Sequence, residues 1–313
     1  MTSPIPSPSA PPKASVQKRL RTDTFWYRLK RQPLFWIGGF LFLVLLLLAA
    51  FAPFLAKGEY DAIYPNGLNA LGVPTAPNAE FLLGTDTLGQ DVKTRILYGA
   101  RLSLVVAFCA MLTSVSIGTF IGLLGGFFGG WVDSALTRFT EIISALPTIL
   151  LAITLTVVLP SRIDPIPLLH FDGDLSTLRL LLAIGLVTWT RIARAVRGEV
   201  LSLKEREFIE AARSLGLSNA TILVRHLLPN VLPTVIVLAT LATASNILLE
   251  AGLSYLGIGR PDAPSWGGLI SQGQPYLITA PWITLAPGAA IVLAVCAFNM
   301  LGNALGDALE TRK

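Results

Sequence analysis

Ionisable side chains are scarce in this chain. Only 14% of its 313 residues are Asp, Glu, Lys or Arg, against roughly 25% in soluble domains, and the mean hydropathy is +0.64. So little polar surface cannot clothe a water-soluble globule, so the net charge of +5 does not read as a nucleic-acid surface, and no nucleic-acid partner is expected. Cysteine is almost absent. Cys109 and Cys296 lie far apart in apolar runs, with no CxxC pair, and His170 and His226 are equally isolated; no metal site, disulfide framework or redox cofactor is indicated. None of the seven lysines completes a glycine-rich loop ending in Gly-Lys-Ser/Thr, so the chain carries no phosphate cradle of its own. No cofactor is expected, and no Ser/His/Asp set or paired carboxylates converge into an enzyme's site.

Long apolar stretches, by contrast, are plentiful. A helix needs roughly 20 apolar residues to cross about 30 Å of hydrocarbon, and six such stretches recur: Leu34–Leu55, Leu102–Phe127, Ser134–Leu159, Leu178–Ala195, Val231–Leu249 and Trp282–Asn303. The fourth is the least apolar, since only Leu180–Thr190 is free of charge between Arg179 and Arg191, but arginines at span ends snorkel to the headgroups. The first has a basic lead and small residues at Ala49–Ala52, which fits a secretory signal less well than a span because the lead is long and five spans follow. The expectation is an all-α, polytopic membrane protein with six transmembrane helices in contact with lipid.

Basic residues fix the orientation. Seven (Lys13, Lys18, Arg19, Arg21, Arg28, Lys30, Arg31) precede the first span and seven more fall in 191–225, whereas 56–101, 160–179 and 251–281 share seven. Both termini are therefore expected in the cytoplasm of a cell whose plasma (inner) membrane holds the protein. The layout is a cytoplasmic tail 1–33, a first span 34–55, an outer loop 56–101 with a short interfacial helix, a core 102–303 containing a cytoplasmic loop 197–229, and a cytoplasmic tail 304–313. The Pro/Ser-rich tract before Lys13 buries no core and is expected to be disordered, and Tyr60–Ala79 reads as an irregular connector.

Gly118, Gly122, Gly126 and Gly130 repeat every four residues, with Gly125 and Gly129 beside them. Such spacing opens a side-chain-free strip for close helix approach. It serves internal packing, a second membrane subunit or a moving gate. Pro147 removes a hydrogen bond from the third span and is expected to kink it.

In the cytoplasmic segment, Phe208, Ala211, Ala212 and Leu215 fall at i, i+3, i+4 and i+7, with Glu207, Glu210 and Arg213 off that stripe, giving a short amphipathic helix. Gly216 can take positive φ and end it before Leu217, and Pro229 is expected to separate a following helix from the fifth span. The segment is either a helix lying on the headgroups or a projection whose alanine face fits a partner's groove. Glu210-Ala211-Ala212, Gly216 and Leu228-Pro229 resemble the EAA loop of permease subunits of ABC importers, in the place where that family has it, although His226 stands where the general pattern has an apolar residue.

A second motif precedes the second span, Gly84-Thr85-Asp86-Thr87-Leu88-Gly89-Gln90-Asp91 with Arg95 beyond. Thr85 and Asp86 suit a turn, Asp91 a helix cap, and Asp91 with Arg95 an i, i+4 pair. It is similar to the segment before the core of C-type dipeptide, oligopeptide and nickel permeases, with Gln90 where that family commonly has arginine. The resemblance implies a type I ABC importer permease fold that pairs with a second homologous permease, two ATPase subunits and an extracytoplasmic solute-binding protein, with Glu207–Leu217 coupling ATP hydrolysis to transport. Peptides, or another small solute such as a nickel chelate, would be the cargo.

The rival class, an ion-coupled carrier, buries ionisable groups at the midplane. Glu141 and Glu250 lie nearer span ends. The orientation is checked by Ser218→Cys: an impermeant thiol reagent should label it only from the cytoplasmic side, and labelling of intact cells from outside would reverse the topology.

Overall fold

The computed structural model describes residues 25–160, 175–260 and 262–309. The proline-rich tract, residues 161–174 with His170, and Arg312 and Lys313 lie outside the described residues. A short helix α1 (25–31) leads into α2 (Pro33–Ala50) and the single turn α3 (Ala52–Leu55). Then follow α4 (Val92–Phe128), α5 (Gly130–Ala145), α6 (Thr148–Val158), α7 (Ser176–Leu203), α8 (Glu207–Ser214), α9 (Asn219–Thr221), α10 (Leu228–Tyr255), α11 (Trp266–Gly273) and α12 (Trp282–Leu309). Among the described residues there is no strand, only three isolated bridges in the loop between α3 and α4.

Among the described residues, five helices are long and apolar enough to cross a bilayer, and α5 with α6 makes a sixth span if the bent pair is counted as one. The ends differ from those read in sequence, because polar residues can extend a helix beyond the hydrocarbon. α4 begins ten residues before Leu102 and α12 runs on to Leu309. The interfacial helix expected within 56–101 is thus the first turns of α4, and the boundaries drawn at 101 and 303 fall inside helices. At 37 residues and 1.5 Å each, α4 reaches roughly 55 Å, well beyond the membrane core.

Pro147 does more than kink its span. α5 and α6 meet at 95°, because Leu146, disfavoured from the helical region by the proline ring after it, is extended (ψ 139°) and Pro147 itself caps α6 with ψ 121°. Pro229 likewise departs from the expectation. It opens α10 rather than dividing it from what precedes, and the helix is continuous over Asn219–Tyr255. A π-helical stretch, Ile222–Leu227, immediately precedes the proline, and the Asn230 side-chain amide donates to the His226 carbonyl at 2.6 Å.

The glycine strip packs α4 on α7. A Cβ at Gly118 would lie 2.7 Å from the Trp189 carbonyl oxygen, at Gly122 2.7 Å from that of Ala193, and at Gly126 2.7 Å from the Val200 Cβ. Internal packing is therefore the role of these three. Gly130 is the exception, since it has φ +53° with nothing near its missing Cβ and forms, with Gly129 at φ +64°, the turn into α5. α12 packs against α10, α2 and α11, sharing a core of Leu45, Ala107, Ile247, Trp266, Ala294 and Phe298. Gly122→Ala should lower the Tm of the detergent-solubilised protein, with overpacking costing about 1–3 kcal/mol. Gly198→Ala, where no atom lies within 4 Å, should leave it unchanged or raise it.

Candidate functional site

The segment 204–229 is a helix, a turn and a second helix fastened to the bundle. Glu207 and Glu210 sit in the first turn of α8 and Arg213 in its last, the arrangement that the helix dipole favours. Gly216, at φ +75°, closes it: its N–H donates to the Arg213 carbonyl at 2.9 Å and that of Leu217 to Ala212 at 3.2 Å, the paired bonds of a Schellman ending. The Ser218 hydroxyl then caps α9 by accepting from the Thr221 N–H.

The buried face of α8 is not the stripe read from sequence. Ile209 and Ala212 are buried in a cluster with Phe127, Val196, Val200, Leu203 and Leu227, and the Arg213 guanidinium lies 5.6 Å from the centre of the Phe127 ring. Only Ala212 of the expected stripe faces inward. At 100° per residue, the buried direction is turned roughly 80° from that stripe, leaving Phe208 and Leu215 38% and 80% exposed and Ala211 exposed. Ile209 is the anchor that the periodicity missed, although Ile209 and Ala212 at i, i+3 carried the signal. What remains outside is a small apolar patch, Phe208, Ala211, Leu215 and Leu217, edged by Glu207 and Glu210.

At the other end the motif before α4 forms a buried knot. Asp86 accepts from the N–H groups of Leu88 and Gln90, both at 2.9 Å, and from the Arg95 guanidinium, which also donates to the Gln272 side chain at 2.9 Å. The ion pair is therefore Asp86–Arg95, not Asp91–Arg95. Asp91 is committed instead to capping α4, accepting from the Thr94 N–H at 3.0 Å and its hydroxyl at 2.6 Å. Gln90 donates to the Asp61 carbonyl at 3.0 Å, Thr85 accepts through its carbonyl from the Trp282 indole at 3.0 Å, and Gly84 and Gly89 hold φ of +71° and +78°. This knot fixes the loop that read as a connector onto α4, α11 and α12.

Two further features escaped sequence reading. Asp133 and Arg197, 64 residues apart, form a two-pronged pair (2.5 and 2.7 Å) joining α5 to α7. Glu250 is wholly buried and accepts from the Ser254 hydroxyl at 2.7 Å, so it faces protein rather than the outer surface. Beside the α5–α6 bend, a cleft of about 490 Å³ opens between α5, α6, α7 and α10.

A family model described as the binding-protein-dependent transport system inner membrane component matches residues 118–313, and another, the N-terminal TM domain of oligopeptide transport permease C, matches 21–74. The chain belongs to this permease family. It is the membrane subunit of a binding-protein-dependent ABC importer, a transport protein and not an enzyme. The permease is 37% identical over 98% of its length, and 95% of the relative's, to the dipeptide transport system permease protein DppC of Alkalihalophilus pseudofirmus. It is 34% identical to the glutathione transport system permease protein GsiD of Pectobacterium atrosepticum, covering 94% and 93% of the two chains. Among solved structures, an inward-facing form of the MetNI methionine ABC transporter matches with a TM-score of 0.52 and 20% identity over 69% of the permease and 96% of that chain, supporting the type I permease fold. The family implies ATP-binding subunits and a partner permease beside this multi-pass membrane protein.

Removing one member of a buried ion pair leaves the other uncompensated, so Asp86→Asn should destabilise the permease by about 3–5 kcal/mol. The check is its Tm in detergent beside that of Lys57→Met, whose half-exposed pair with Glu80 should matter by less than about 1 kcal/mol.

Proposed function

We propose that the permease carries peptides inward, paired with a second homologous permease, driven by two ATPase subunits in the cytoplasm and loaded by an extracytoplasmic binding protein. The relatives named for dipeptide and glutathione transport support the peptide. The distribution of basic residues supports cytoplasmic termini, which puts α8 on the ATPase side.

The coupling role of α8 rests on one observation: a helix whose inner face is locked by Ile209 and Ala212 while Phe208, Ala211 and Leu215 face outward uncovered. Apolar groups on a rigid projection favour a complementary groove, and Glu207 and Glu210 beside them offer carboxylates to basic groups at its rim. A movement of that groove during ATP binding and hydrolysis would pull α8 as a body. Because Ile209 packs with Val196, Val200 and Val231, the pull passes to α7 and α10 without needing a flexible link. Differential contact in two ATPase states then sets which side of the membrane is open.

Glu210→Ala and Gly216→Val, the latter placing a branched side chain at φ +75°, should leave the assembly in the membrane while separating ATP hydrolysis from uptake. Proteoliposomes with the ATPases and loaded binding protein measure both; uptake at the wild-type rate in both variants removes the coupling role.

A further inference from the structure

Arg191 and Arg194 lie in the second half of α7, and no carboxylate described above pairs with either. They lie 15 and 18 residues from the start of α7 at Ser176, roughly 22 and 27 Å along a helix that rises 1.5 Å per residue, in the far third of a hydrocarbon core about 30 Å thick. A cation at that depth is costly unless it faces a water-filled space. Both side chains are exposed, whereas Ile192 and Ala193 between them are buried. Both line the cleft of about 490 Å³, together with Ser144, Thr148, Thr188 and Ser245, and no acidic residue is on that lining.

Neighbouring cations are neutralised, and these two are not. Arg197 is paired with Asp133 and Arg138 with Glu141. Arg194 donates only to the Ser144 hydroxyl, at 3.0 Å, and among the described residues Arg191 has no hydrogen bond or ion pair. Asn246, buried on the same lining, has no partner for its Oδ1. Two guanidinium groups without a carboxylate and an amide oxygen without an N–H form the complement of a peptide end, which offers a carboxylate and amide donors. The irregular backbone at Leu146–Pro147 borders the same space through Ser144 and Thr148, and non-helical backbone at membrane depth is tolerated where it lines a water-filled cavity.

We infer that this cleft is the chain's half of the solute path and that Arg191 and Arg194 bind the carboxylate of the passing solute. The inference rests on the peptide-importer reading and assigns a binding site within it. A lipid phosphate is the other anion such arginines could meet, and it would not discriminate between cargoes.

The test uses the complete importer in proteoliposomes, with saturating amounts of binding protein loaded with either the tripeptide Ala-Ala-Ala or its C-terminal amide, which lacks the carboxylate. The double variant Arg191→Gln with Arg194→Gln should slow uptake of the free-acid peptide by about tenfold or more, in line with loss of a charged hydrogen bond, and that of the amide by much less. Hydrolysis stimulated by the loaded binding protein should persist, and the corresponding Lys variants should keep most of the free-acid peptide's rate. Wild-type uptake in the double variant, an equal fall for both peptides, or loss of stimulated hydrolysis along with uptake would each overturn the inference alone. Failure of the wild-type assembly to take up either peptide would instead remove the peptide reading, and the inference with it.

Discussion

The close approach of α4 and α7 is the contact on which the rest of the bundle depends. Three glycines in one register, Gly118, Gly122 and Gly126, bring the α4 backbone against Trp189, Ala193 and Val200 with no room for a side chain. Within lipid there is little hydrophobic drive for helices to associate, so dispersion contact and shape must supply it. With its side chains removed from that line, α4 gives α7 a broad flat bed, and α7 becomes a fixed beam from one face of the membrane to the other. The C-terminal end of that beam belongs to the cluster into which Ile209 is sunk. A short helix outside the membrane is thereby tied to the most closely packed helix pair inside it.

That tie has a mechanical consequence. A lone eight-residue helix in water is marginal, and if α8 were held by a flexible loop, displacement at its tip would be lost in bending. Here the Schellman ending at Gly216, the Ser218 cap and the continuous helix through the π-helical stretch leave little slack between α8 and α10. The Asp133–Arg197 pair adds a second fastening, from α5 to the C-terminal half of α7. A chain without a phosphate loop must receive its energy through contact, and the described structure offers a stiff route from the exposed patch to three spans.

How much of this the sequence disclosed depends on the range of each interaction. The spans, the glycine spacing and the ending at Gly216 were legible because each is local: a run of apolar residues, a period of four, a residue free to take positive φ. The Asp86–Arg95 pair was not, since the chain must turn back at Gly89 before those side chains meet, and the nearer Asp91 is already occupied by its cap. The face of α8 was misread for a similar reason. Eight residues carrying four apolar side chains define more than one stripe, and the choice is made by Phe127, Val200 and Leu227 packing from elsewhere in the chain. Pro147 signalled a defect, but its size depends on Leu146 leaving the helical region as well, and only the neighbouring helices can accommodate the resulting 95° turn.

The same bend explains why the cleft lies where it does. Neither α5, with 16 residues, nor α6, with 11, spans the hydrocarbon alone, so their junction falls at membrane depth. Hydrocarbon solvates neither an extended Leu146–Pro147 backbone nor a guanidinium. Both demands are met by one water-accessible space beside α7 and α10. A straight third span would present a continuous apolar helix to that face and leave Arg191 and Arg194 against side chains unable to accept a hydrogen bond. The break in one helix and the charges on the next thus meet in one cavity, whose lining mixes Ser144, Thr188 and Ser245 with Val187, Leu241 and Leu249.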